Sequence, residues 1–300
     1  MLSNTDTTTE LLAAPARFVD EALSQRVDGR RLAPNLRDAI RYALLGPGKR
    51  LRPALAHYSA MAVGANPALA MPAMEAIELV HCFSLVHDDL PSMDDDDLRR
   101  GRPTLHIHTS EAMAILAGDA MLAMAFEAIG NAGTSAGLLA TELAPAVTDM
   151  ISGQVLDTLG GGEAGSARDK LEHIHRGKTG ALIRAACRMG VMCAARPAVY
   201  SPALDAGVLK EITVFADALG LMFQIVDDVL DVEQSTEQLG KRSGKDAAAG
   251  KLTYPGVLGL EESKAEIERQ LNVCLTSIKP LGSNAKPLAD LAHAMAVRTR

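Results

Sequence analysis

Apolar residues recur at helical spacing along most of the chain, in stretches separated by segments rich in glycine, proline or charge. These segments contain no run of short alternating strands, and none is long enough to be a linker between domains. We therefore predict an all-α protein with a single domain over residues 1–300, of which the polar residues 1–10 are loosely ordered. The predicted helices cover residues 9–23, 36–45, 53–64, 72–90, 110–130, 138–159, 168–195, 205–232, 253–260, 262–278 and 285–297.

The composition agrees with a helical core and excludes several classes of protein. Apolar residues form 48% of the 300 residues, with 13 Met, five Phe and no Trp, so aliphatic helix formers have to build the core. The formal net charge of −7 argues against a nucleic-acid-binding protein, and no uninterrupted apolar stretch reaches the ~18 residues of a membrane span. The N-terminus lacks a signal-peptide pattern, and no cysteine pair has C-x-x-C spacing. We therefore predict a cytoplasmic protein with four buried thiols: Cys82, Cys187, Cys193 and Cys274.

Three aspartates end an apolar helical stretch near residue 230. Asp227 and Asp231 are four residues apart and share one helix face, with Asp228 beside them. Like charges at this spacing repel each other, and carboxylate oxygens are the ligands that Mg²⁺ prefers. We favour a metal site over a solvated acidic helix end, because the neighbouring side chains are aliphatic.

The other acidic motif, which comes first along the chain, follows an apolar helical stretch and includes Asp88, Asp89 and Asp94. On a straight helix Asp94 would lie about 120° away from Asp88, too far round to share one ion. Pro91 cannot continue the helical hydrogen-bond ladder, so we expect a turn that brings Asp94 back toward the same metal. We interpret Asp95–Asp97 as a solvated turn.

Basic residues cluster after glycines or after the acidic motifs. In a protein with an acidic net charge, such local clusters predict anion-binding sites. Lys49, Arg50 and Arg52 come directly after Gly46-Pro47-Gly48, where a glycine permits close backbone approach. A solvated turn is the alternative for this segment. The other basic residues with such neighbours are Arg99, Arg100, Lys178, Lys241 and Lys245. The nucleotide P-loop pattern is absent, so the combination favours a diphosphate bound together with Mg²⁺.

Taken together, these segments resemble the short-chain trans-prenyl diphosphate synthase family, most closely the bacterial farnesyl diphosphate synthases. The matching segments are GKRLRP (48–53), HCFSLVHDDLPSMDDDDLRRGRPT (81–104), GQVLD (153–157), KTGALI (178–183), FQIVDDVLD (223–231) and GKRSGKD (240–246). Pro47 departs from the family pattern, which usually has a second glycine there. The resemblance implies an antiparallel bundle of long helices around a central cavity, usually in a homodimer.

The resemblance also implies a role for each matching residue. Ligands for two Mg²⁺ ions are Asp88, Asp89 and Asp94, and a third ion belongs to Asp227 with Asp228 and Asp231. Binders of the allylic diphosphate are Arg99, Lys178, Thr179, Gln224 and Lys241. Binders of isopentenyl diphosphate are Lys49, Arg52, His81 and Arg100, while Lys245 matches a basic position near the metal-bound diphosphate. We expect catalysis to depend most directly on Asp88, Asp89, Asp94, Lys178, Asp227 and Lys241.

The implied reaction is a head-to-tail condensation of isopentenyl diphosphate with dimethylallyl or geranyl diphosphate, through an allylic carbocation. About three Mg²⁺ ions are expected, for which Mn²⁺ can substitute, and farnesyl diphosphate (C15) is the expected product. Geranyl and geranylgeranyl diphosphate are alternative products. A terpene cyclase fits less well because the second motif is DDVLD, and a non-catalytic prenyl synthase subunit fits less well because both acidic motifs are present.

Product length is expected to depend on Phe83 and Ser84, which lie five and four residues before Asp88. At ~1.5 Å per residue, Phe83 is roughly 7 Å along the helix from the first metal site. A ring at that depth can form the floor for the growing chain, as the family resemblance implies. The alternative is that Phe83 only packs between helices.

Overall fold

The computed structural model describes residues 4–161, 165–194, 202–237 and 252–298, and helices dominate these ranges. The α-helices are α1 (Asn4–Asp28), α2 (Pro34–Leu44), α3 (Leu51–Ala62), α4 (Met71–Asp88), α5 (Leu105–His108), α6 (Glu111–Gly130), α7 (Ala136–Leu159), α8 (Ala167–His175), α9 (Ala181–Ala194), α10 (Pro202–Glu237), α11 (Tyr254–Leu258), α12 (Leu260–Ile278) and α13 (Lys286–Ala296). Short 3₁₀ helices cover Pro67–Ala70, Gly133–Ser135 and Lys279–Ala285. The all-α prediction is therefore confirmed.

Two local features differ from the predicted helix pattern. A π-helical turn at Arg176–Gly180 interrupts the helix predicted over 168–195 and separates α8 from α9. A small hairpin, which the sequence pattern did not predict, joins β1 (Leu98–Arg99) to β2 (Arg102–Pro103). In addition, α1 already begins at Asn4, earlier than the predicted Thr9.

Local capping explains where several helices begin. The Ser110 side chain accepts a hydrogen bond from the Met113 backbone N–H at the start of α6. At the start of α8, Ser166 and Asp169 form a reciprocal capping box. Such caps satisfy backbone donors that have no partner within the helix.

The chain divides into two compact units, and the prediction of a single domain stays a prediction. The amino-terminal unit comprises residues 12–144 and 188–200. Within it, α4 packs against α3 and α6, and α2 also contacts both α4 and α6. Fully buried aliphatic side chains such as Leu55, Ile77 and Met121 build its core. This packing fixes the end of α4, where the first acidic motif lies.

The carboxy-terminal unit comprises residues 1–11, 145–187 and 201–300. Its long helix α10 packs against α12, α13 and the π-turn, while α11 contacts α8 and α12. Phe215, Met222 and Ile225 on α10 are completely buried. The second acidic motif therefore projects from a helix that is anchored in the core.

All four cysteines are free and buried, as predicted.

Two helical stretches, Pro67–Asp88 and Glu111–Gly130, are long and apolar enough to cross a membrane by length and composition alone. The first is mostly buried in the protein and the second is less than half buried. The expected absence of a membrane span therefore stays a prediction.

Candidate active site

The first acidic motif forms a turn directly after α4. The helix ends at Asp88, and the Asp94 backbone N–H donates a hydrogen bond of 2.8 Å to the Asp88 carbonyl oxygen. Pro91 lies inside this turn, so the predicted reversal of the chain is present. Asp88 is half-buried and Asp94 is exposed, whereas Asp89 is only 3% exposed.

Asp89 is held by Arg99 from the hairpin that follows. Arg99 donates from Nε and Nη2 to the two carboxylate oxygens at 2.5–2.9 Å. The hairpin turns at Arg100-Gly101, where φ is +53° and +75°, as a two-residue turn of the type I′ family requires. In this structure the Arg99 guanidinium neutralises a buried carboxylate of the same motif, and its predicted binding of the allylic diphosphate stays a prediction.

A half-buried basic pair lies near this motif, with Arg52 on α3 and His81 on α4. Arg52 Nη1 is 3.5 Å from His81 Nε2, and the Arg52 Nε is buried with no hydrogen-bond partner among the described residues. Burial, reinforced by the positive charges of Arg52 and Arg100, holds the pKa of His81 well below its usual value. A neutral imidazole and a guanidinium with an unsatisfied N–H together suit an anionic oxygen.

The glycines of Gly46-Pro47-Gly48 make room for arginine side chains. A Cβ at Gly46 would lie 2.9 Å from Arg102 Nη1, and a Cβ at Gly48 would lie 2.6 Å from Arg100 Nη1. Arg100 also donates a hydrogen bond to the Pro47 carbonyl oxygen. Both glycines therefore leave room for guanidinium groups, while close approach of the backbone to a phosphate stays a prediction.

Arg50 does not belong to the anion site that was predicted for this segment. Its side chain is buried, pairs with Asp20 at 2.7 Å and Glu78 at 3.0 Å, and donates to the Leu44 and Gly46 carbonyl oxygens. All of its charge is therefore used within the fold. Lys49, in contrast, is exposed.

A cavity in the amino-terminal unit brings several predicted residues together. Its lining includes Gly46, Glu78, His81, Arg99, Arg100 and Arg102. Burial raises the pKa of the Glu78 carboxyl, an effect that Arg50 and Arg52 oppose. The predicted isopentenyl diphosphate binders His81 and Arg100 thus line one basic cavity.

In the carboxy-terminal unit, the π-turn presents Lys178 and Thr179. Lys178 Nζ lies 2.6 Å from the Asp157 Oδ2, and Thr179 Oγ1 donates to Gln224 Oε1 at 2.6 Å. The structure therefore joins Thr179 and Gln224, two residues predicted for the allylic diphosphate. Gly153 of α7 allows the turn to approach, because a Cβ there would lie 2.2 Å from the Lys178 backbone nitrogen.

The three aspartates of the second motif have different surroundings. Asp227 pairs with Arg298, whose guanidinium also lies over the Phe223 ring at 4.7 Å. Asp228 is buried and accepts the Tyr254 backbone N–H at 2.9 Å. Asp231 is exposed. The metal role predicted for Asp228 thus competes with a structural hydrogen bond that holds the start of α11.

Sequence reasoning did not identify three neighbours of this motif. His175 Nε2 lies 3.7 Å from Asp228 Oδ2, and its ring stacks on Tyr254 with centroids 5.7 Å apart. Arg298 is 71 positions beyond Asp227 (298 − 227), so local spacing carries no signal for that pair. His175 lies three residues before Lys178, and this closeness to a predicted site residue was the one sequence signal for its place near the site.

The carboxylate donors of the two acidic motifs fit Mg²⁺ in their chemistry. Among the described residues, no group of three or more His, Cys, Asp or Glu side chains converges in metal-binding geometry. Both motifs offer carboxylate oxygens, and in each motif an arginine supplies positive charge to one aspartate. Lys241 and Lys245 lie outside the described residues.

Comparison with known proteins places this arrangement in a family. The family model described as polyprenyl synthetase matches residues 33–286. The chain belongs to the polyprenyl synthetase family. The prediction of a prenyltransferase is thereby confirmed, whereas the specificity for a farnesyl product stays a prediction.

Two relatives that resemble most of this chain are named as geranylgeranyl pyrophosphate synthases. Geranylgeranyl pyrophosphate synthase 7, chloroplastic, from Arabidopsis thaliana is 41% identical over 299 residues, which cover 97% of this chain and 84% of that protein. A chloroplastic geranylgeranyl pyrophosphate synthase from Capsicum annuum is 40% identical and covers 88% of this chain and 71% of its own length.

Solved structures of the family share the fold. A geranyltransferase from Legionella pneumophila has a TM-score of 0.82 at 29% identity and covers 97% of this chain and 98% of its own. A putative farnesyl-diphosphate synthase from a Marinomonas species has a TM-score of 0.77 at 33% identity. The match covers 99% of this chain and 100% of that protein's chain. The predicted isoprenoid synthase type of all-α fold is therefore confirmed.

Proposed function

We propose that this protein condenses isopentenyl diphosphate with an allylic diphosphate in a Mg²⁺-dependent reaction. The observation that carries the proposal is the basic cavity of the amino-terminal unit, which lies in the same unit as the turn bearing Asp88 and Asp94. A diphosphate carries about three negative charges, and cations must offset them before two such groups can be bound close together. Basic side chains and carboxylates that can hold a divalent ion satisfy this requirement jointly.

The chain's own residues divide the work between the two substrates. We assign Arg52, His81 and Arg100 to isopentenyl diphosphate, and Lys178 and Thr179 to the allylic diphosphate. About three bound Mg²⁺ ions would supply charge stabilisation for the departing diphosphate. The allylic C–O bond breaks with its electron pair leaving on oxygen, the isopentenyl double bond attacks the allylic carbon, and a proton leaves with the diphosphate.

We propose geranylgeranyl diphosphate (C20) as the final product rather than the farnesyl diphosphate expected from the sequence. The Arabidopsis and Capsicum relatives carry that name. In addition, Phe83 lies edge-on to His87 with centroids 5.6 Å apart, and His87 packs over Gly118 of α6. Because residues four apart share a helix face, this geometry favours a ring packed toward α6 over a ring that blocks the growing chain.

Farnesyl diphosphate is the second candidate, because Phe83 is bulky and only five residues before Asp88. Chromatography of products made from dimethylallyl, geranyl and farnesyl starters tests both proposals. We expect C20 from the wild type and an unchanged chain length from Phe83→Ala. Wild-type product that stops at C15 and lengthens in Phe83→Ala would instead support the second candidate. Urea denaturation has to accompany the comparison, because this truncation costs about 3–5 kcal/mol when the ring is buried.

The oligomeric state and location remain proposals of the same kind. We propose a cytoplasmic homodimer, a state supported by the exposed apolar residues Ile115, Leu116 and Phe126 on α6, which are 39–57% exposed. Light scattering on the purified protein tests this: we expect the mass of a dimer in the wild type and of a monomer in Leu116→Asp. The acidic net charge of −7 gives no support to a nucleic-acid partner.

A further inference from the structure

Arg102 lines the basic cavity, and no carboxylate in the part of the chain that the structure describes pairs with it. It lies on β2 directly opposite Arg99 on β1, so the two arginines are cross-strand neighbours. Like charges in that position destabilise a hairpin unless something neutralises them. Asp89 neutralises Arg99, whereas no described carboxylate lies within ion-pair distance of Arg102.

The Arg102 side chain is nevertheless held in one place. Its guanidinium carbon lies 4.1 Å from the centroid of the Tyr42 ring, and the His108 ring stacks on Tyr42 at 3.8 Å with an interplanar angle of 10°. Two groups stacked this closely cannot share one face, so Arg102 and His108 enclose the Tyr42 ring from opposite sides. Tyr42 is itself fixed, because its hydroxyl donates to the Pro103 carbonyl oxygen at 2.8 Å.

The charges that line the cavity leave an excess of positive charge. Glu78 is the only acidic side chain among the described residues of the lining, and Arg50 pairs with it at 3.0 Å. Arg99 is paired with Asp89, so Arg100 and Arg102 contribute uncompensated charge to the lining. A preorganised cation of this kind strengthens binding of an anion, because little side-chain freedom remains to be lost.

We propose that Arg102 is a further binding residue for the diphosphate of the isopentenyl substrate, and that Tyr42 is the positioning residue that holds it. This inference rests on the proposed function and extends its isopentenyl diphosphate site. The planar guanidinium suits bidentate contact with phosphate oxygens, which a lysine ammonium cannot reproduce. Gly46 contributes by its lack of a side chain, because a Cβ there would collide with the Arg102 guanidinium.

Steady-state kinetics on Arg102→Gln tests the assignment. With geranyl diphosphate saturating, we expect the KM for isopentenyl diphosphate to rise about tenfold, as for one lost charge-assisted hydrogen bond. With isopentenyl diphosphate saturating, kcat and the KM for geranyl diphosphate should change less than about twofold. A purely structural role of Arg102 would not separate the two substrates in this way.

Variants of the ring and a matched arginine complete the experiment. Tyr42→Leu should raise the isopentenyl diphosphate KM about threefold, and Tyr42→Phe, which keeps the ring, should restore most of the loss. Arg17→Gln is the control, because Arg17 also lies over an aromatic ring, that of Phe18 at 5.5 Å, and does not line the cavity. If Arg102→Gln does not fold, Arg102→Lys keeps the charge and should give an intermediate rise in this KM.

The possible failures can be told apart. An isopentenyl diphosphate KM that stays at the wild-type value in Arg102→Gln, or equal rises of both KM values, would overturn the inference and leave the proposed function standing. A wild-type protein that condenses no allylic starter with isopentenyl diphosphate in the presence of Mg²⁺ would overturn the proposed function and this inference with it.

Discussion

Gly153→Ala perturbs the candidate active site through the backbone alone. The added Cβ would lie 2.2 Å from the Lys178 nitrogen, 2.7 Å from the Gly177 carbonyl carbon and 2.9 Å from the Lys178 Cα. Ordinary contacts between such atoms are about 3.5 Å, so the π-turn or α7 has to move by about 1.3 Å. All three contacted atoms are main-chain atoms, so no side-chain rotation relieves the collision.

The structure lets us estimate both consequences of this shift. Overpacking costs about 1–3 kcal/mol, and the better helix propensity of alanine returns about 1 kcal/mol, so the net loss of unfolding free energy should be about 0–2 kcal/mol. Lys178 and Thr179 should move with the turn. A displacement of about 1 Å at a positioned group can reduce turnover about 100-fold. We therefore expect a large loss of turnover in a protein that stays folded.

The assay combines kinetics with urea denaturation on Gly153→Ala and on Gly137→Ala. Gly137 lies in the same helix α7, and a Cβ there would meet nothing within 4 Å. The control should keep wild-type turnover and an equal or slightly higher unfolding free energy. Wild-type turnover in a folded Gly153→Ala protein would refute the reasoning that the turn positions groups for the reaction.

The other predictions concern the metal, the two substrates and the buried charge. Excess EDTA should abolish condensation, and Asp88→Ala or Asp227→Ala should lower kcat at least 100-fold at saturating Mg²⁺; full turnover in EDTA would contradict the metal assignment. Arg52→Ala should mainly raise the KM for isopentenyl diphosphate and Lys178→Ala mainly impair use of the allylic substrate, and identical effects of both changes on both substrates would disprove this division. Arg50→Leu should lower the unfolding free energy measured in urea by about 3–5 kcal/mol, because it leaves a carboxylate buried without its partner; a loss below about 1 kcal/mol would argue against a structural role.

Local sequence was sufficient for the helices and for the types of residue in the motifs. Helical periodicity and capping depend on neighbours within about four positions, which is why most observed helices lie close to the predicted ranges. The turn after Asp88 was also predictable, because Pro91 removes a backbone donor and the chain has to leave the helix. The aspartate and arginine content of the motifs pointed to diphosphate chemistry before any contact was known.

Tertiary packing decided how those residues are used. Arg50 and Arg52 belong to the same basic segment but have different roles. Arg50 forms an ion pair with the buried Glu78. Arg52 lies beside His81 and has an Nε–H without a hydrogen-bond partner among the described residues. The π-turn at Arg176–Gly180 has no signature in local periodicity, and Gly153 accommodates it from another helix. Such outcomes depend on contacts between residues far apart in sequence. Whether a buried charge finds a partner is settled only when the helices pack, since local sequence sets the available charges but not their distances.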